Sequence, residues 1–233
     1  MTPETTLDRG IAVSCRGIGK IYRTADEEVQ ALRDVDKDFP VGRVTAIVGP
    51  SGSGKSSLLR ILSCIDRPDA GTLHIGQTEV SGLGRRARRA LRRLQVAYLF
   101  QDPIDNLVEY LTSTAQVELA GRLRGVRPSP AEIDELLTTL HLQHRADHYP
   151  GQLSGGEQQR LAVACAVVGR PSVVIADEPT AELDSRSSDR VLEAFSDLSA
   201  AGVCFIVSSH DPRVTERADH LLRLNHGQVS ESW

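Results

Sequence analysis

The stretch Gly49-Pro50-Ser51-Gly52-Ser53-Gly54-Lys55-Ser56 constrains this chain more than any other. It fits G-x-x-x-x-G-K-[ST] at every fixed position, a pattern whose mechanics require a strand before it and a helix after it. Both contexts are written in the sequence. Val44-Thr45-Ala46-Ile47-Val48 is apolar and β-branched, as a strand buried on both faces of a parallel sheet must be. Leu58, Leu59, Ile61, Leu62 and Ile65 recur at helical spacing, which predicts a helix running through Ile65. The glycines let the backbone wrap a polyphosphate, so that successive N–H groups and the helix N-terminus point at anionic oxygens. Lys55 then adds a point charge for the β- and γ-phosphates, and the Ser56 hydroxyl a ligand for Mg²⁺.

The bulk numbers bound the rest. With 233 residues, 40% of them hydrophobic, the chain can build one large α/β domain with a sizeable core. A net charge of -4 argues against nucleic acid as a partner. Cys15, Cys64, Cys165 and Cys204 are far apart and form no Cys-x-x-Cys, so they read as buried free thiols of a cytosolic protein. No apolar run reaches the roughly 18–20 residues needed to span a bilayer. The start, Met1 to Thr6, lacks the basic region and apolar core of a signal peptide. Work at a membrane would therefore need something else to carry the protein there.

Along the chain, residues 1–10 are polar and read as frayed. Ile11 to Ile18 reads as a strand, and Val29 to Phe39 as an arm returning antiparallel to the same sheet. After the turn Arg67–Gly71 comes a short strand, Thr72–Ile75. Residues 85–93 hold six arginines on a predicted helix. A solvated face is the ordinary reading, and contact with anionic headgroups or a membrane partner the sharper one. Nucleic acid is disfavoured, because no aromatic interleaves the arginines. Val96–Phe100 reads as a buried strand that delivers Gln101 at its end. Leu111–Leu123 and Pro130–Leu142 are helical in period with no strand between them, and a small-residue helix carries Leu161, Ala162, Ala164, Cys165 and Val168. Val173–Ala176 and Val203–Ser208 read as buried parallel strands, and His220–Leu224 as an edge strand. The expected fold is α/β: a mostly parallel sheet flanked by helices, with an antiparallel β arm at its start. A helical subdomain of about 102–169 would be inserted into a core of about 1–100 and 170–233.

Two further stretches carry chemistry. Asp177 and Glu178 end an apolar strand, where one carboxylate can hold Mg²⁺ opposite Ser56 and its neighbour can orient and deprotonate water. In Leu153-Ser154-Gly155-Gly156-Glu157-Gln158-Gln159-Arg160, Ser154 is an N-cap hydroxyl and the glycines expose the N–H groups of the helix that follows. That is a second anion site on the same chain.

This last run resembles the signature motif of ATP-binding-cassette (ABC) ATPases, and the resemblance extends over nearly the whole chain. Gly49–Ser56 resembles Walker A, Gln101 the glutamine loop, Val173–Glu178 Walker B with its catalytic glutamate, and Ala181–Asp184 the loop after it. His210 resembles the switch histidine at the γ-phosphate, and Tyr22 sits where the family stacks an aromatic ring on adenine; a core or surface tyrosine is the alternative. The resemblance implies a P-loop NTPase core and an ATPase with ATP and Mg²⁺ as cofactors. Glu178, His210 and Gln101 would be catalytic, and Ser56, Gln101 and Asp177 would hold the metal. Nucleotide would contact Tyr22, Gly49 to Ser57, and Ser154, Gly155, Gly156, Glu157 and Asp184. It further implies a head-to-tail dimer with ATP between Walker A of one copy and the signature of the other. A permease on a separate chain would hold the dimer at the cytoplasmic face of the membrane, with Asp102–Thr112 and the helical insert as its docking groove.

Tyr22–Leu32, Ile65–Gly71 and Ala176–Thr180 are similar to the subgroup of lipoprotein-release, macrolide-efflux and cell-division ABC ATPases. The wording of Phe100–Leu107 differs from that subgroup's. An importer subunit is the rival within the family, and a soluble non-transport ABC ATPase or a regulatory module without turnover the rivals outside transport. Ala181-Glu182 replaces the common Gly-Asn and Ser57 a common Thr. Neither change removes a ligand, but Glu182 brings a negative charge near the dimer seam.

Overall fold

The computed structural model describes residues 10–23 and 27–233. Residues 1–9 and residues 24–26 of the stretch Tyr22–Leu32 lie outside them. In chain order, β1 (Ile11–Arg23) pairs antiparallel with β2 (Glu28–Pro40), and β3 (Val44–Val48) leads through the Gly-rich loop into α1 (Lys55–Leu62). β4 (Ala70–Ile75), β5 (Thr78–Glu79), α2 (Arg85–Gln95) and β6 (Val96–Leu99) follow. Between β6 and the next strand the chain runs through helices: α3 (Ser113–Leu123), α4 (Pro130–Thr139), α5 (Gly155–Val167) and short 3₁₀ turns. It closes with β7 (Val173–Asp177), α6 (Ser185–Ala200), β8 (Phe205–Ser208), α7 (Pro212–Arg217), β9 (His220–Asn225) and β10 (Gln228–Ser232).

The strands form two sheets. One is antiparallel in the order β2-β1-β4-β5, so the expected arm is part of a separate sheet that also takes Thr72–Ile75. The other runs β10-β9-β3-β8-β7-β6, parallel except for β10. Strand alternation splits its core in two. Val44, Ala46, Val48, Val174, Ala176, Phe205 and Val207 face α5 and α6, while Ile47, Val173, Ile175 and Ile206 face α1 and the antiparallel sheet. The fully buried Leu58, Leu59, Ile61 and Leu62 fix α1 to that second face, at roughly 2 kcal/mol each.

Local signals set where helices start and stop. Thr112, Ser129, Ser154, Asp184 and Asp211 each accept a first-turn backbone N–H, and Pro130 and Pro212 take the first helical position. Thr112 thus starts α3 two residues after Leu111. α1 stops at Leu62 instead of reaching Ile65, because Cys64 turns left-handed (φ 58°) and Ile65 N–H closes back onto Arg60 O at 2.9 Å. α4 stops at Thr139 in the same way, with His141 at φ 56° and Leu142 N–H on Leu137 O at 2.7 Å. His220–Leu224 is not an edge strand, since β9 lies between β3 and β10. The strand β10, which the polar pattern of Gln228–Ser232 concealed, forms the edge instead.

The four cysteines are free thiols, and burial pushes Cys64 up to about 11, against Arg88 and Arg92, and Cys165 and Cys204 up to about 12. α2 buries Leu91, and none of its six arginines joins an ion pair among the described residues. No helix of the described residues is long and apolar enough to cross a membrane.

Candidate active site

The Gly-rich loop is clamped from two sides. Gly54, the N-cap of α1, sits at φ 102°, and a Cβ there would lie 2.5 Å from Ala31 O on β2. A Cβ on Gly49 would lie 2.2 Å from Leu224 O on β9. No side chain fits at either position. The β9–β10 turn completes the clamp: Gly227 N–H donates to Ser53 O at 3.0 Å, and Gly227 O accepts from Arg33 N–H at 2.8 Å. Lys55 Nζ donates to Gly49 O at 2.7 Å and Pro50 O at 3.2 Å, which holds its charge over the loop. The Ser53 hydroxyl is buried with no hydrogen-bond partner among the described residues, and open space surrounds the Cβ position of Gly52.

Beside the loop, the C-terminal ends of β6, β7 and β8 bring a second group of side chains together. Asp177 Oδ1 accepts from Ser208 Oγ at 2.9 Å and Oδ2 from the Tyr98 hydroxyl at 3.2 Å. Burial, and then the Asp177 charge, pushes the Tyr98 phenol well above its ordinary value, so it stays a donor. Glu178 is left-handed (φ 48°) directly before Pro179, a conformation that costs about 1 kcal/mol or more. Its Oε2 accepts from His210 Nδ1 at 2.9 Å, Ser209 Oγ at 3.3 Å and His210 N–H at 3.4 Å. A carboxylate only accepts, so Nδ1 carries the proton and Nε2 faces elsewhere. Ser209 N–H donates to Ile47 O at 3.2 Å and ties this group to the strand that delivers the loop. Gln101 follows β6 and donates through Nε2 to Glu182 Oε1 at 3.1 Å. Gln101, Asp177 and Glu182 line one cleft of about 300 Å³ with Tyr98, Phe100, Asp102 and Asp105.

Tyr22 is the penultimate residue of β1, with its hydroxyl donating to Asp66 Oδ2 at 2.9 Å and Lys20 Nζ 5.4 Å from its ring centre. Asp66 is held well below the usual carboxylate range by Arg60 first and then by Tyr22, so the tyrosine is anchored past the end of α1.

The N-terminus of α5 stands apart. No hydrogen bond or ion pair among the described residues joins Leu153–Arg160 to Gly49–Ser57. Ser154 Oγ caps the Glu157 N–H, and Glu157 Oε2 accepts from Ser154 N–H at 2.8 Å and Ser154 Oγ at 2.9 Å. Arg145 Nε adds an ion pair to Glu157 Oε1 at 2.9 Å. Burial alone would raise the Glu157 carboxyl, but Ser154 N–H, Arg145 and Ser154 Oγ outweigh it and bring it from 4.5 to about 2. Its stabilisation is complete above about pH 4.5 and is lost as pH falls through about 2. Glu157→Gln is therefore expected to flatten the acid limb of a melting-temperature profile across that interval, with little change in slope at neutral pH. Of the two signature glycines, Gly155 is exposed but Gly156 is buried, its Cβ position 2.7 Å from Ser187 on α6. Asp184 caps α6 at Arg186 and Ser187 N–H and also holds Ser187 Oγ at 2.7 Å, so it sets the residue against which Gly156 packs.

Several of these groups are absent from the sequence-level reading. Ser208 and Ser209 immediately precede His210 at a strand end, and that adjacency was a usable signal. Tyr98, Arg145 and Ser187 have none, since only the tertiary fold brings them to Asp177, Glu157 and Gly156.

The sequence profile described as ABC transporter matches residues 32–181. The chain belongs to the ABC transporter family. It is similar to the lipoprotein-releasing system ATP-binding protein LolD of Chromohalobacter salexigens, 34% identical over 95% of this chain and 94% of that one. It is also similar to the macrolide export ATP-binding/permease protein MacB 1/2 of Paracoccus denitrificans, 39% identical over 93% of this chain. The chain spans 32% of the length of that macrolide-export relative. Among solved structures, a dimeric post-hydrolysis state of the ATP-binding cassette MJ0796 with ADP and Pi superposes with a TM-score of 0.81 at 31% identity, over 95% of this chain and 97% of that one. This ABC protein shares with that cassette the α/β fold of a P-loop NTPase.

Proposed function

We propose that this ABC cassette binds ATP with Mg²⁺, closes on it as a head-to-tail pair of identical chains, and hydrolyses it to drive a membrane permease. The observation that carries this reading is the split arrangement of the site. Asp177, Glu178 and His210 gather beside the phosphate loop, whereas the anion-ready end of α5 is left for another copy. Supporting it, the similar MJ0796 cassette is a dimer bound to ADP and Pi.

In this reading the N–H groups of Ser51 to Ser57 and the Lys55 ammonium hold the β- and γ-phosphates, and a phosphate oxygen meets the orphaned Ser53 hydroxyl. Tyr22 stacks on adenine. Ser154, Gly155 and the N-terminus of α5 in the second copy close on the γ-phosphate, Glu157 sets the Ser154 rotamer, and Asp184 lies at the seam. Ser56, Gln101 and Asp177 offer the hard oxygen donors that suit Mg²⁺, which when bound would neutralise charge on the β- and γ-phosphates. Glu178 orients the attacking water and takes its proton, and His210 contacts the γ-phosphate. Each half-site compensates only part of the triphosphate charge, so nucleotide joins the copies and its hydrolysis loosens them.

The work passes to a permease of the macrolide-export or lipoprotein-release kind at the cytoplasmic face of a membrane. Its docking groove is formed where the core, about 1–100 and 170–233, meets the helical part, about 102–169. A cleft of about 380 Å³ there is lined by Phe100, Asn106, Ala120, Leu123 and Arg124, and Ile104 and Tyr110 are exposed on the adjoining segment. The test is light scattering of the Glu178→Gln variant. A monomer alone and a dimer with Mg-ATP are expected; a monomer in both conditions, without and with the cognate permease, would overturn the composite site.

A further inference from the structure

We infer that Glu182 is a positioning residue for the metal: it turns the Gln101 amide so that the carbonyl end is presented to Mg²⁺. The inference rests on the proposed role of Gln101 as a metal ligand and adds to it a role for a residue of the Ala181–Asp184 loop to which the family resemblance gives none. Glu182 stands on the loop after β7 and Gln101 on the loop after β6, 81 positions apart, yet Gln101 Nε2 lies 3.1 Å from Glu182 Oε1. A carboxylate can only accept, so the amide must meet it with its NH₂ end. That choice fixes the orientation of the whole group. Oε1, the side-chain atom of Gln101 able to ligate a hard cation, has no hydrogen-bond partner among the described residues and lies in the cleft that Asp177 also lines.

The lining of that cleft explains why an anchor is needed. Asp102, Asp105, Asp177 and Glu182 line it and no basic side chain does, so an untethered amide would meet carboxylates on several sides. Each of them would compete for its NH₂. Glu182 takes that donor in one place. The residue at this position therefore acts on the metal through Gln101 and not as a ligand itself. An amide at 182 can accept through its own oxygen, so Glu182→Gln keeps the contact while removing the charge. Glu182→Ala removes both.

The experiment is ATP binding at equilibrium, titrated with Mg²⁺, in chains that also carry Glu178→Gln to prevent turnover. Mn²⁺ occupancy in the presence of ATP is followed by electron paramagnetic resonance as a second readout. Glu182→Ala is expected to raise the Mg²⁺ needed for half-maximal ATP binding about fivefold, the worth of roughly one exposed hydrogen bond. Glu182→Gln should restore most of the difference. In a Gln101→Ala background, Glu182→Ala should add nothing further. An equal effect of Glu182→Ala with and without Gln101, or a Glu182→Gln variant as impaired as Glu182→Ala, would overturn the inference and leave a plain charge effect. A Gln101→Ala variant with unchanged Mg²⁺ and Mn²⁺ titrations would instead overturn the assignment of Gln101 to the metal.

Discussion

Replacing Glu178 by glutamine is expected to lower steady-state ATP hydrolysis by roughly 10²–10⁴-fold, the range for losing a positioned general base. Nucleotide binding should be kept. The glutamine side chain has nearly the same volume, and its amide oxygen still accepts from Ser209 Oγ and His210, whose partners reach Glu178 at 3.3 and 2.9 Å. What it lacks is the ability to take a proton from water. The strained backbone sharpens the expectation, because φ 48° at residue 178 aims the side chain away from the strand and toward the His210 segment. The measurement is phosphate release beside ATP binding in the same preparation. A variant that binds but does not turn over supports the base assignment, and a variant within about tenfold of wild type would pass the role to another group. His210→Ala, which removes the Nδ1 partner, should also slow turnover. The two losses should fall short of additivity, since each side chain holds the other.

Replacing Gly227 by alanine is expected to weaken ATP binding by about tenfold and to destabilise the fold by about 2–3 kcal/mol, although Gly227 belongs to no motif. His226 and Gly227 both have positive φ, 46° and 75°, as a two-residue hairpin of the I′ type requires. A Cβ on Gly227 would lie 2.6 Å from Ala31 O, a backbone atom that cannot swing aside. The displaced turn would take its N–H from Ser53 O and release the phosphate loop on that side. Nucleotide affinity and chemical denaturation of the variant measure the two effects. Wild-type affinity in a destabilised protein would show that β2 and α1 hold the loop without the hairpin.

The sequence by itself determined the fold class, the family and the order of the functional stretches. Those features are local. A G-x-x-x-x-G-K-[ST] loop between an apolar strand and a periodic helix specifies its own geometry, and so does a Ser-x-x-Glu box at the start of α5. Helix ends were less legible, because the left-handed residues that stop α1 and α4 are Cys64 and His141 and not glycines. Strand β10 escaped because its side chains are mostly exposed and carry no alternation. The partners of the site groups were invisible for another reason. Tyr98 reaches Asp177, Arg145 reaches Glu157 and Glu182 reaches Gln101 only when separate strand ends and loops are brought side by side. Likewise Gly156, read from sequence as an exposed N–H donor, is buried against Ser187 by the packing of α5 on α6. Spacing along a chain encodes period and turn chemistry, whereas the hydrogen bonds that orient a carboxylate or an amide depend on which elements become neighbours, and only the tertiary structure decided that.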